Sequence, residues 1–319
     1  MNDHFLTDIE IEQFKCFTDF KASGFKRVNL IGGKNNIGKT AFMEACFINV
    51  HATTVNAMIT AIIIIKFRRE ILNVVDSTVS EHRDYLDAIK IFKNSSNINN
   101  ISYEIIEKNA IKKYQFNINK KPITIDNKDL TFTHKLIDNI NFIDNFGWPN
   151  RAVCRAYQSI QKHDQEDELN SFIHEFDNNI DNFKVIDGKP QCKTNGEYRD
   201  IVEFGDGLRH YISIICALYA CENGYLFIDE IDNGIHYSQL DKLWELILTL
   251  SKKTNCQLFA ITHSKEMLES FARVAKKLND QDISYTTLVK NKQQEIMAIT
   301  RDYEMLLDSI EQEREVRGW

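Results

Sequence analysis

The chain has 319 residues, of which 43% are hydrophobic and 27% are charged. These values are typical of a folded globular protein that is long enough to bury a substantial core. The formal net charge of −7 argues against a dedicated nucleic-acid-binding domain, which is usually basic, although a local basic face stays open. The seven cysteines form no C-x-x-C pair, so we expect reduced thiols in a cytoplasmic protein rather than a zinc site or a disulfide framework.

Membrane attachment is not expected. The most apolar stretch, residues 57–67, is shorter than the ~18–20 residues that a membrane-spanning helix needs. The first ten residues carry three carboxylates and no apolar segment of the kind found in secretory signals.

The N-terminal region predicts two strands and a helix. Apolar residues alternate over residues 9–14, as a half-buried strand requires. The apolar run at residues 28–31 predicts a short buried strand that ends at Gly32 and Gly33. A pattern of helical spacing starts at Thr40 and continues past residue 50.

Residues 52–196 predict an α+β lobe inserted into the core sheet. The segment contains a helix up to about residue 75, short alternating runs at residues 101–106 and 114–118, and an acidic helical segment at residues 166–180. It has no internal repeat and no sustained heptad, so a long coiled-coil arm is not expected.

Strands and helices alternate from residue 198 onwards. The predicted order is a strand at 201–204, a helix at 206–222, a strand at 225–229, a helix at 238–251, a strand at 257–262, a helix at 265–276, strands at 284–289 and 294–299, and a helix from Tyr303. Alternation on this scale predicts an α/β fold with a parallel sheet and helices on its faces.

Residues 33–40 read G-K-N-N-I-G-K-T and match the phosphate-binding motif G-x-x-x-x-G-K-[ST] between a strand and a helix. Glycines let successive N–H groups point at phosphate oxygens, and the helix N-terminus adds a partial positive charge. Lys39 is expected to reach the β- and γ-phosphates and the Thr40 hydroxyl to bind Mg²⁺. The other predicted nucleotide contacts of this segment are Gly33, Asn35, Asn36, Gly38 and Ala41.

Two other strand ends carry polar residues. The apolar run 226–228 is followed by Asp229 and Glu230. Beside a phosphate-binding loop, such an aspartate holds Mg²⁺ and such a glutamate orients and deprotonates the attacking water. His263 closes the next strand, where it can touch the γ-phosphate and hold Glu230 in place. We therefore predict catalytic roles for Glu230 and His263 and a metal-binding role for Asp229; solvated charges and a structural histidine are the alternatives.

A glycine-containing turn precedes the predicted helix at 206–222. Gly205, Asp206, Gly207 and Arg209 lie there, and two glycines at a helix N-terminus make a second anion site. One chain can hardly fold both anion sites onto a single nucleotide. We expect this turn to contact the γ-phosphate held by another subunit; a plain helix-capping turn is the alternative.

Taken in order, these motifs resemble the ABC-class ATPases of the SMC/RecF/OLD branch. The similarity covers the opening at 9–17, the P-loop at 30–40, the signature region at 204–209, Walker B and the D-loop at 228–236, the H-loop at 260–264 and the closing helix at 303–317. It implies a single ABC-ATPase head over residues 1–319: a P-loop NTPase with a mixed core sheet flanked by helices. Residues 197–319 would supply the signature, Walker B, D-loop, H-loop and C-terminal sheet edge.

The resemblance also implies a mechanism. Two heads would face each other, each ATP with its Mg²⁺ lying between one P-loop and the partner's signature turn, and residues 232–236 would line the seam. The signature serine of the wider class is replaced, since Gly205 precedes Asp206 and Gly207. The contact would then depend on backbone N–H groups and Arg209, and turnover would be slow. For the Q-loop glutamine, Gln158 and Gln161 both stay open and Gln13 does not qualify.

The biological role is inferred by analogy only. The spacing from Lys39 to Gly205 is too short for a long SMC arm, and the candidate base-recognition segments at 119–122 and 291–294 lack the aspartate of N-K-x-D that a GTPase needs. The residues after the H-loop look like the end of the sheet rather than a TOPRIM nuclease.

Our hypothesis is that the chain is the sensor or switch of a bacterial anti-phage defence complex. It would form a homodimer or a higher even-numbered assembly and hold a separately encoded nuclease or toxin, with partner specificity in residues 52–196. The alternatives are a RecF-like DNA repair or recombination ATPase, which would bind DNA directly, and a scaffold that ATP locks together with little turnover.

Overall fold

The computed structural model describes residues 5–53, 57–58, 60–62, 64–65, 100–107, 110–117, 124–125, 128–129, 137–145 and 147–312. The chain groups into two compact units. Unit 1 consists of Met1–Ile9, Lys21–Thr40 and Asp138–Trp319, and unit 2 consists of Glu10–Phe20 and Ala41–Ile137. Every predicted site residue except Ala41 belongs to unit 1.

The strands are β1 (Asp8–Phe14), β2 (Phe17–Ser23), β3 (Val28–Gly33), β4 (Asn100–Glu107), β5 (Ala110–Asn117), β6 (Thr124–Ile125), β7 (Lys128–Asp129), β8 (Ile140–Ile143), β9 (Asn182–Ile186), β10 (Lys189–Thr194), β11 (Glu197–Asp200), β12 (Tyr225–Ile228), β13 (Gln257–Ile261), β14 (Ile283–Lys290) and β15 (Ile296–Asp302). The helices are α1 (Lys39–His51), α2 (Asn150–Lys162), α3 (Glu166–Phe176), α4 (Asp206–Ala220), α5 (Leu240–Lys253), α6 (Lys265–Leu278) and α7 (Tyr303–Glu311).

A six-stranded sheet forms the centre of unit 1, in the order β15-β14-β3-β13-β12-β8. All neighbouring pairs are parallel except β14 and β15, which are antiparallel. Every residue of β13 is buried, as expected of a central parallel strand covered on both faces. The predicted α/β class with a mixed core sheet flanked by helices is confirmed.

The register brings four strand ends to one edge of this sheet. Ile31 in β3 pairs with Ile261 in β13, and Ile228 in β12 pairs with Ala260 of β13 and with Ile143 in β8. Because the four strands are parallel and end at matching positions, the residues that follow each strand lie side by side. This edge therefore brings together the predicted site residues that follow β3, β12 and β13.

Helix α5 shows how the faces of the sheet are covered. Its buried residues include Leu243, Trp244, Ile247 and Leu250, which recur at the spacing of one helical face. Trp244 packs against Phe271 of α6 with ring centroids 4.4 Å apart. The apolar stripe thus fixes which side of the helix faces the core.

A three-stranded antiparallel sheet, β11-β10-β9, precedes helix α4 within unit 1. The strand predicted at residues 201–204 is wrong: residues Ile201–Glu203 form a 3₁₀ turn. The ladder of β10 and β11 ends at the pair Gln191 and Asp200. The Asp200 carboxylate then accepts a hydrogen bond from Val202 N at 3.1 Å, which turns the backbone out of the extended conformation.

Unit 2 contains a four-stranded antiparallel sheet in the order β4-β5-β6-β7. The alternating runs predicted at 101–106 and 114–118 correspond to β4 and β5, with residue 118 outside the described residues. The helix predicted up to about residue 75 is described only as far as residue 65, and residues 57–58, 60–62 and 64–65 are helical. Residues 119–122 and 313–317 also lie outside the described residues.

Part of the range 52–196, for which a lobe is predicted, groups with unit 1. Residues 138–196 belong to that unit, and β8 is an edge strand of its six-stranded sheet. The boundaries of the lobe stay a prediction. Among the helices that the structure describes, none has the length and apolar content to cross a membrane.

Candidate functional site

The loop between β3 and α1 has the backbone that a phosphate-binding loop requires. Gly33 has φ +135°, Gly38 has φ +107° and Asn36 has φ +59°, so three of its residues lie in conformations that most L-residues avoid. A Cβ added to Gly33 would lie 2.7 Å from the carbonyl oxygen of Leu288. Both the backbone angle and the space at this position therefore demand glycine.

Lys39 lies inside this loop. Its side chain is only 5% exposed, and its Nζ donates to the carbonyl oxygens of Gly33 and Lys34, both at 2.8 Å. Burial lowers the pKa of Lys39 to about 8, an effect that the negative charges of Asp229 and Glu230 oppose. The ammonium is thus held by carbonyl groups of its own loop, at the place where a phosphate would offer it stronger, charged acceptors.

The two carboxylates follow β12 directly, at the same sheet edge. Asp229 N donates to the carbonyl oxygen of Ile143 at 2.9 Å, which extends the pairing with β8 by one residue. Glu230 has φ +49°, the left-handed region that costs a residue with a Cβ about 1–2 kcal/mol. The backbone therefore leaves the extended conformation of β12 at Glu230, directly after Asp229.

His263 and Thr262 end the neighbouring strand. Burial is the main cause that lowers the pKa of His263; the charge of Lys39 lowers it further, and Glu230 and Asp232 oppose both effects. Thr262 Oγ1 donates to Asp232 Oδ1 at 2.6 Å and accepts from Ser264 N at 3.0 Å. The first hydrogen bond links the residues that follow β13 to the turn that follows β12.

The turn before α4 faces solvent at its tip and the protein at its base. Gly205 and Asp206 are exposed, and a Cβ at Gly205 would meet no atom within 4 Å. Gly205 is the N-cap of α4, and because it has no side chain, no side-chain hydrogen bond caps the first turn. Arg209 Nη2 lies 3.4 Å from the carbonyl oxygen of Trp148 of its own chain, so its guanidinium points along the protein rather than outwards.

One segment of the site was missed by sequence reasoning. Asp144 and Asn145 follow β8 at the same edge, and Asn233 Nδ2 donates to the carbonyl oxygen of Asn145 at 2.6 Å. The short apolar run 140–143 followed by polar residues was the available signal. The two glutamines considered for the Q-loop, Gln158 and Gln161, lie instead on the exposed face of α2.

The described residues fit a nucleotide with a metal ion. They contain one buried ammonium inside a glycine loop, the Thr40 hydroxyl at the start of α1, and adjacent carboxylates on the next strand but one. No group of three metal-ligating side chains occurs among the described residues. Mg²⁺ usually takes one or two protein ligands and completes its shell with phosphates and water, and the Thr40 hydroxyl and the Asp229 carboxylate are oxygen donors of the kind that it prefers.

Comparisons with known proteins find a family model that matches part of the chain and a curated relative that spans most of it. Residues 149–269 match a family model described as "AAA domain, putative AbiEii toxin, Type IV TA system". A curated protein of Helicobacter pylori (strain ATCC 700392 / 26695), named ATP/GTP phosphatase, is 25% identical over 358 residues, which cover 93% of this chain and 95% of the relative.

Two solved structures show the same fold. A crystal structure of the SmcHead bound to the C-winged helix domain of ScpA has a TM-score of 0.55 at 11% identity, covering 94% of this chain and 99% of that chain. The Smc head domain with an extended coiled coil, bound to the C-terminal domain of ScpA derived from Pyrococcus furiosus, has a TM-score of 0.54 at 11% identity, covering 98% and 100%. The fold is thus that of an SMC head, and the family model and the curated relative together with it support an ABC/SMC-like AAA ATPase.

Proposed function

We propose that the chain hydrolyses Mg-ATP at a site completed by a second copy of itself. The observation that carries the proposal is the division of the site. One sheet edge carries charged groups that interact electrostatically: Lys39, Asp229, Glu230 and His263. The tip of the Gly205–Gly207 turn, in contrast, is open to solvent. The first group is equipped to hold and cleave a triphosphate. The second presents backbone donors that a nucleotide on another molecule can use.

Within one chain the proposed roles follow from position. The loop N–H groups and Lys39 bind the phosphates, with Gly33, Asn35, Asn36, Gly38 and Ala41 forming the rest of the loop. Thr40 and Asp229 would hold Mg²⁺, which supplies charge neutralisation at the phosphate oxygens. Glu230 orients the attacking water and takes its proton, and His263 lies where it can keep Glu230 and the terminal phosphate aligned.

The trans contact would use Gly205, Asp206 and Gly207. Two glycines at the start of a helix of this length offer N–H groups and the positive end of the helix dipole. Asp206 adds a negative charge at the same place, which weakens anion binding and fits slow turnover. Because Arg209 lies against Trp148, we assign the contact to the backbone and give Arg209 a supporting role.

For the biological role we propose the sensor or switch subunit of an anti-phage defence complex, with a separately encoded effector. The match to a family described by a toxin of a Type IV TA system supports an association with such two-part systems. The SMC heads with the same fold are bound to domains of another protein, ScpA, which supports a partner-binding head. In this role the nucleotide state would decide whether the effector is held or released.

The enzymatic proposal is tested with two variants and one control. Lys39→Ala should abolish ATP binding, and Glu230→Gln should retain binding while hydrolysis falls by about 10²- to 10⁴-fold. Glu230→Gln should also accumulate as an ATP-dependent dimer in light scattering. Glu245→Gln is the control, because Glu245 pairs with Lys277 on the outer surface of α5 and α6. A Glu230→Gln protein that hydrolyses ATP at the wild-type rate would contradict the assignment and leave the ATP-locked scaffold.

The biological proposal is tested in cells. Wild type, Lys39→Ala and Glu245→Gln are expressed with their neighbouring genes and challenged with phage. We expect protection with wild type and Glu245→Gln, loss of protection with Lys39→Ala, and one neighbour that co-purifies. Protection that survives Lys39→Ala would exclude the switch role, and ATPase activity that rises with DNA and falls steeply with salt would favour the DNA repair alternative.

A further inference from the structure

Gly32 stands directly before the phosphate-binding loop, and the space around it leaves no room for a side chain. A Cβ added there would lie 2.0 Å from Tyr285 Oη, 2.8 Å from its Cζ and 2.9 Å from its Cε2. Carbon and oxygen atoms in contact stay about 3.3–3.6 Å apart. The phenol of Tyr285 therefore occupies the volume that a side chain at position 32 would need.

Tyr285 is held at this place by its neighbours in the six-stranded sheet. It lies in β14 in register with Leu30 of β3 and with Arg301 of β15, and it is 1% exposed. Leu30 is fully buried, and Arg301 Nη1 donates to Thr287 Oγ1 at 2.9 Å. Because residues in register on neighbouring strands share a face of the sheet, a movement of the ring away from Gly32 would displace one of these two side chains.

The next residue connects this contact to the candidate site. The carbonyl oxygen of Gly33 accepts a hydrogen bond from Lys39 Nζ at 2.8 Å. Gly33 also lies against β14, where its own Cβ would be 2.7 Å from the carbonyl oxygen of Leu288. The backbone that enters the loop is thus packed against β14 at two successive residues. A shift at Gly32 would therefore move the carbonyl group that holds the ammonium.

We propose that Tyr285 is a positioning residue for the phosphate-binding loop: its phenol packs against Gly32 and fixes the entrance of the loop, and with it the Lys39 ammonium. The inference rests on the proposed function, in which Lys39 binds the phosphates of ATP. Tyr285 acts through the backbone in this role and touches no reacting atom. Gly32 and Tyr285 form a pair of a small and a large residue, so a change in either should alter ATP binding.

Gly32→Ala tests the pair from the side of the loop. The added methyl group would lie more than about 1 Å too close to the hydroxyl, so the loop entrance must move by a similar distance. A misplacement of about 1 Å can cost about 10²-fold in rate. We expect both the affinity for ATP and kcat/KM to fall by about 10- to 100-fold.

Gly224→Ala is the matched control for the cost of crowding a glycine. A Cβ at Gly224 would also lie 2.0 Å from an oxygen, the carbonyl oxygen of Asn139. Gly224 precedes β12, at the opposite end of this strand from Asp229. Gly224→Ala should lower the unfolding temperature, as Gly32→Ala does, and keep the wild-type affinity for ATP.

Tyr285→Leu tests the pair from the side of β14. Leucine lacks the hydroxyl and reaches less far, so the loop entrance loses its support, and ATP should bind about tenfold more weakly. Tyr211→Leu is the control for the loss of a buried ring, since Tyr211 is also 1% exposed and stacks on Phe176 with ring centroids 4.1 Å apart. The double variant Gly32→Ala/Tyr285→Leu should bind ATP more tightly than Gly32→Ala, because leucine leaves room for the added methyl group.

The experiment is calorimetric titration with Mg-ATP at a protein concentration where the chain is monomeric, with thermal unfolding of each variant on the same preparation. Wild-type affinity in Gly32→Ala and in Tyr285→Leu would overturn the positioning role, and Tyr285→Leu alone decides if Gly32→Ala does not fold. Equal weakening in Gly224→Ala or Tyr211→Leu would also overturn it, since general destabilisation would then explain the effect. A double variant that binds no better than Gly32→Ala would show that the methyl group does not act through Tyr285.

These outcomes separate the pair from the function on which it rests. If the wild type and Lys39→Ala bind ATP equally, the proposed nucleotide site fails and the positioning role fails with it. If Lys39→Ala loses ATP while Gly32→Ala and Tyr285→Leu keep the wild-type affinity, only the positioning role fails.

Discussion

Glu230 combines a predicted catalytic role with an unfavourable backbone, so glycine at this position should be more stable than glutamine, while both replacements should remove activity. With φ +49°, the residue stands in a region that glycine adopts freely. Glu230→Gly removes the Cβ and the carboxylate together. Glu230→Gln keeps the Cβ and removes only the charge, so the difference between the two variants isolates the backbone contribution.

The magnitude follows from two opposing terms. Removing the Cβ relieves about 1–2 kcal/mol of left-handed strain, and the greater freedom of glycine in the unfolded chain costs about 0.4–1 kcal/mol. Glu230→Gly should therefore be more stable than Glu230→Gln by about 1 kcal/mol. Both variants lose the same interaction with Lys39, so the effect of that charge cancels in the comparison.

The assay is urea unfolding of both variants and the wild type, followed by circular dichroism, with ATP hydrolysis measured on the same preparations. We expect hydrolysis to be lost in both variants and the higher unfolding midpoint in Glu230→Gly. If Glu230→Gly unfolds at lower urea than Glu230→Gln, then the side-chain packing of residue 230 outweighs its backbone strain, and the reasoning is refuted.

Two further predictions concern buried groups near the site. Burial lowers the pKa of His210 from 6.5 to about 4. Between these pH values only the unfolded chain binds the proton, so the free energy of unfolding falls as the pH drops through that window. His210→Phe should reduce the loss of stability between pH 7 and pH 5 by about 2 kcal/mol, and equal pH slopes for both proteins would contradict this. Trp148→Phe leaves the buried carbonyl of Phe142 without its indole donor. Urea denaturation should show that the free energy of unfolding falls by about 1–3 kcal/mol. An unchanged midpoint would show that another donor replaces the indole.

The parts of the fold that the sequence predicted well are those in which one chemical pattern has one structural outcome. Strands β3, β12 and β13 are apolar runs that must be covered on both faces, and the motifs at their ends come directly after them. Helix α5 repeats its apolar residues at helical spacing, and its observed start lies within two residues of the prediction. These assignments depend on neighbours in sequence only.

The missed parts depend on contacts between distant residues. Strand β8 has four residues, too few for its pattern to be told from an apolar loop, and its place is set by pairing with β12. The 3₁₀ turn at Ile201–Glu203 depends on one carboxylate cap in a segment with the composition of a strand. The contact between Tyr285 and Gly32 could not be predicted, because spacing along the chain does not show which side chain fills the space beside a glycine.

The backbone strain at Glu230 lies beside a rigid part of the sheet. Glu230 has positive φ without being a glycine, and it follows β12, whose register is fixed by pairing with β13 and β8. Strain of this kind persists only if the surrounding structure prevents relaxation, and strands β3, β12 and β13 provide that constraint through continuous pairing. The same rigidity bears on Lys39, whose pKa is lowered by burial to about 8. The sheet holds the loop that desolvates its ammonium, and a bound polyphosphate would offset that desolvation by replacing the loop carbonyls with charged acceptors.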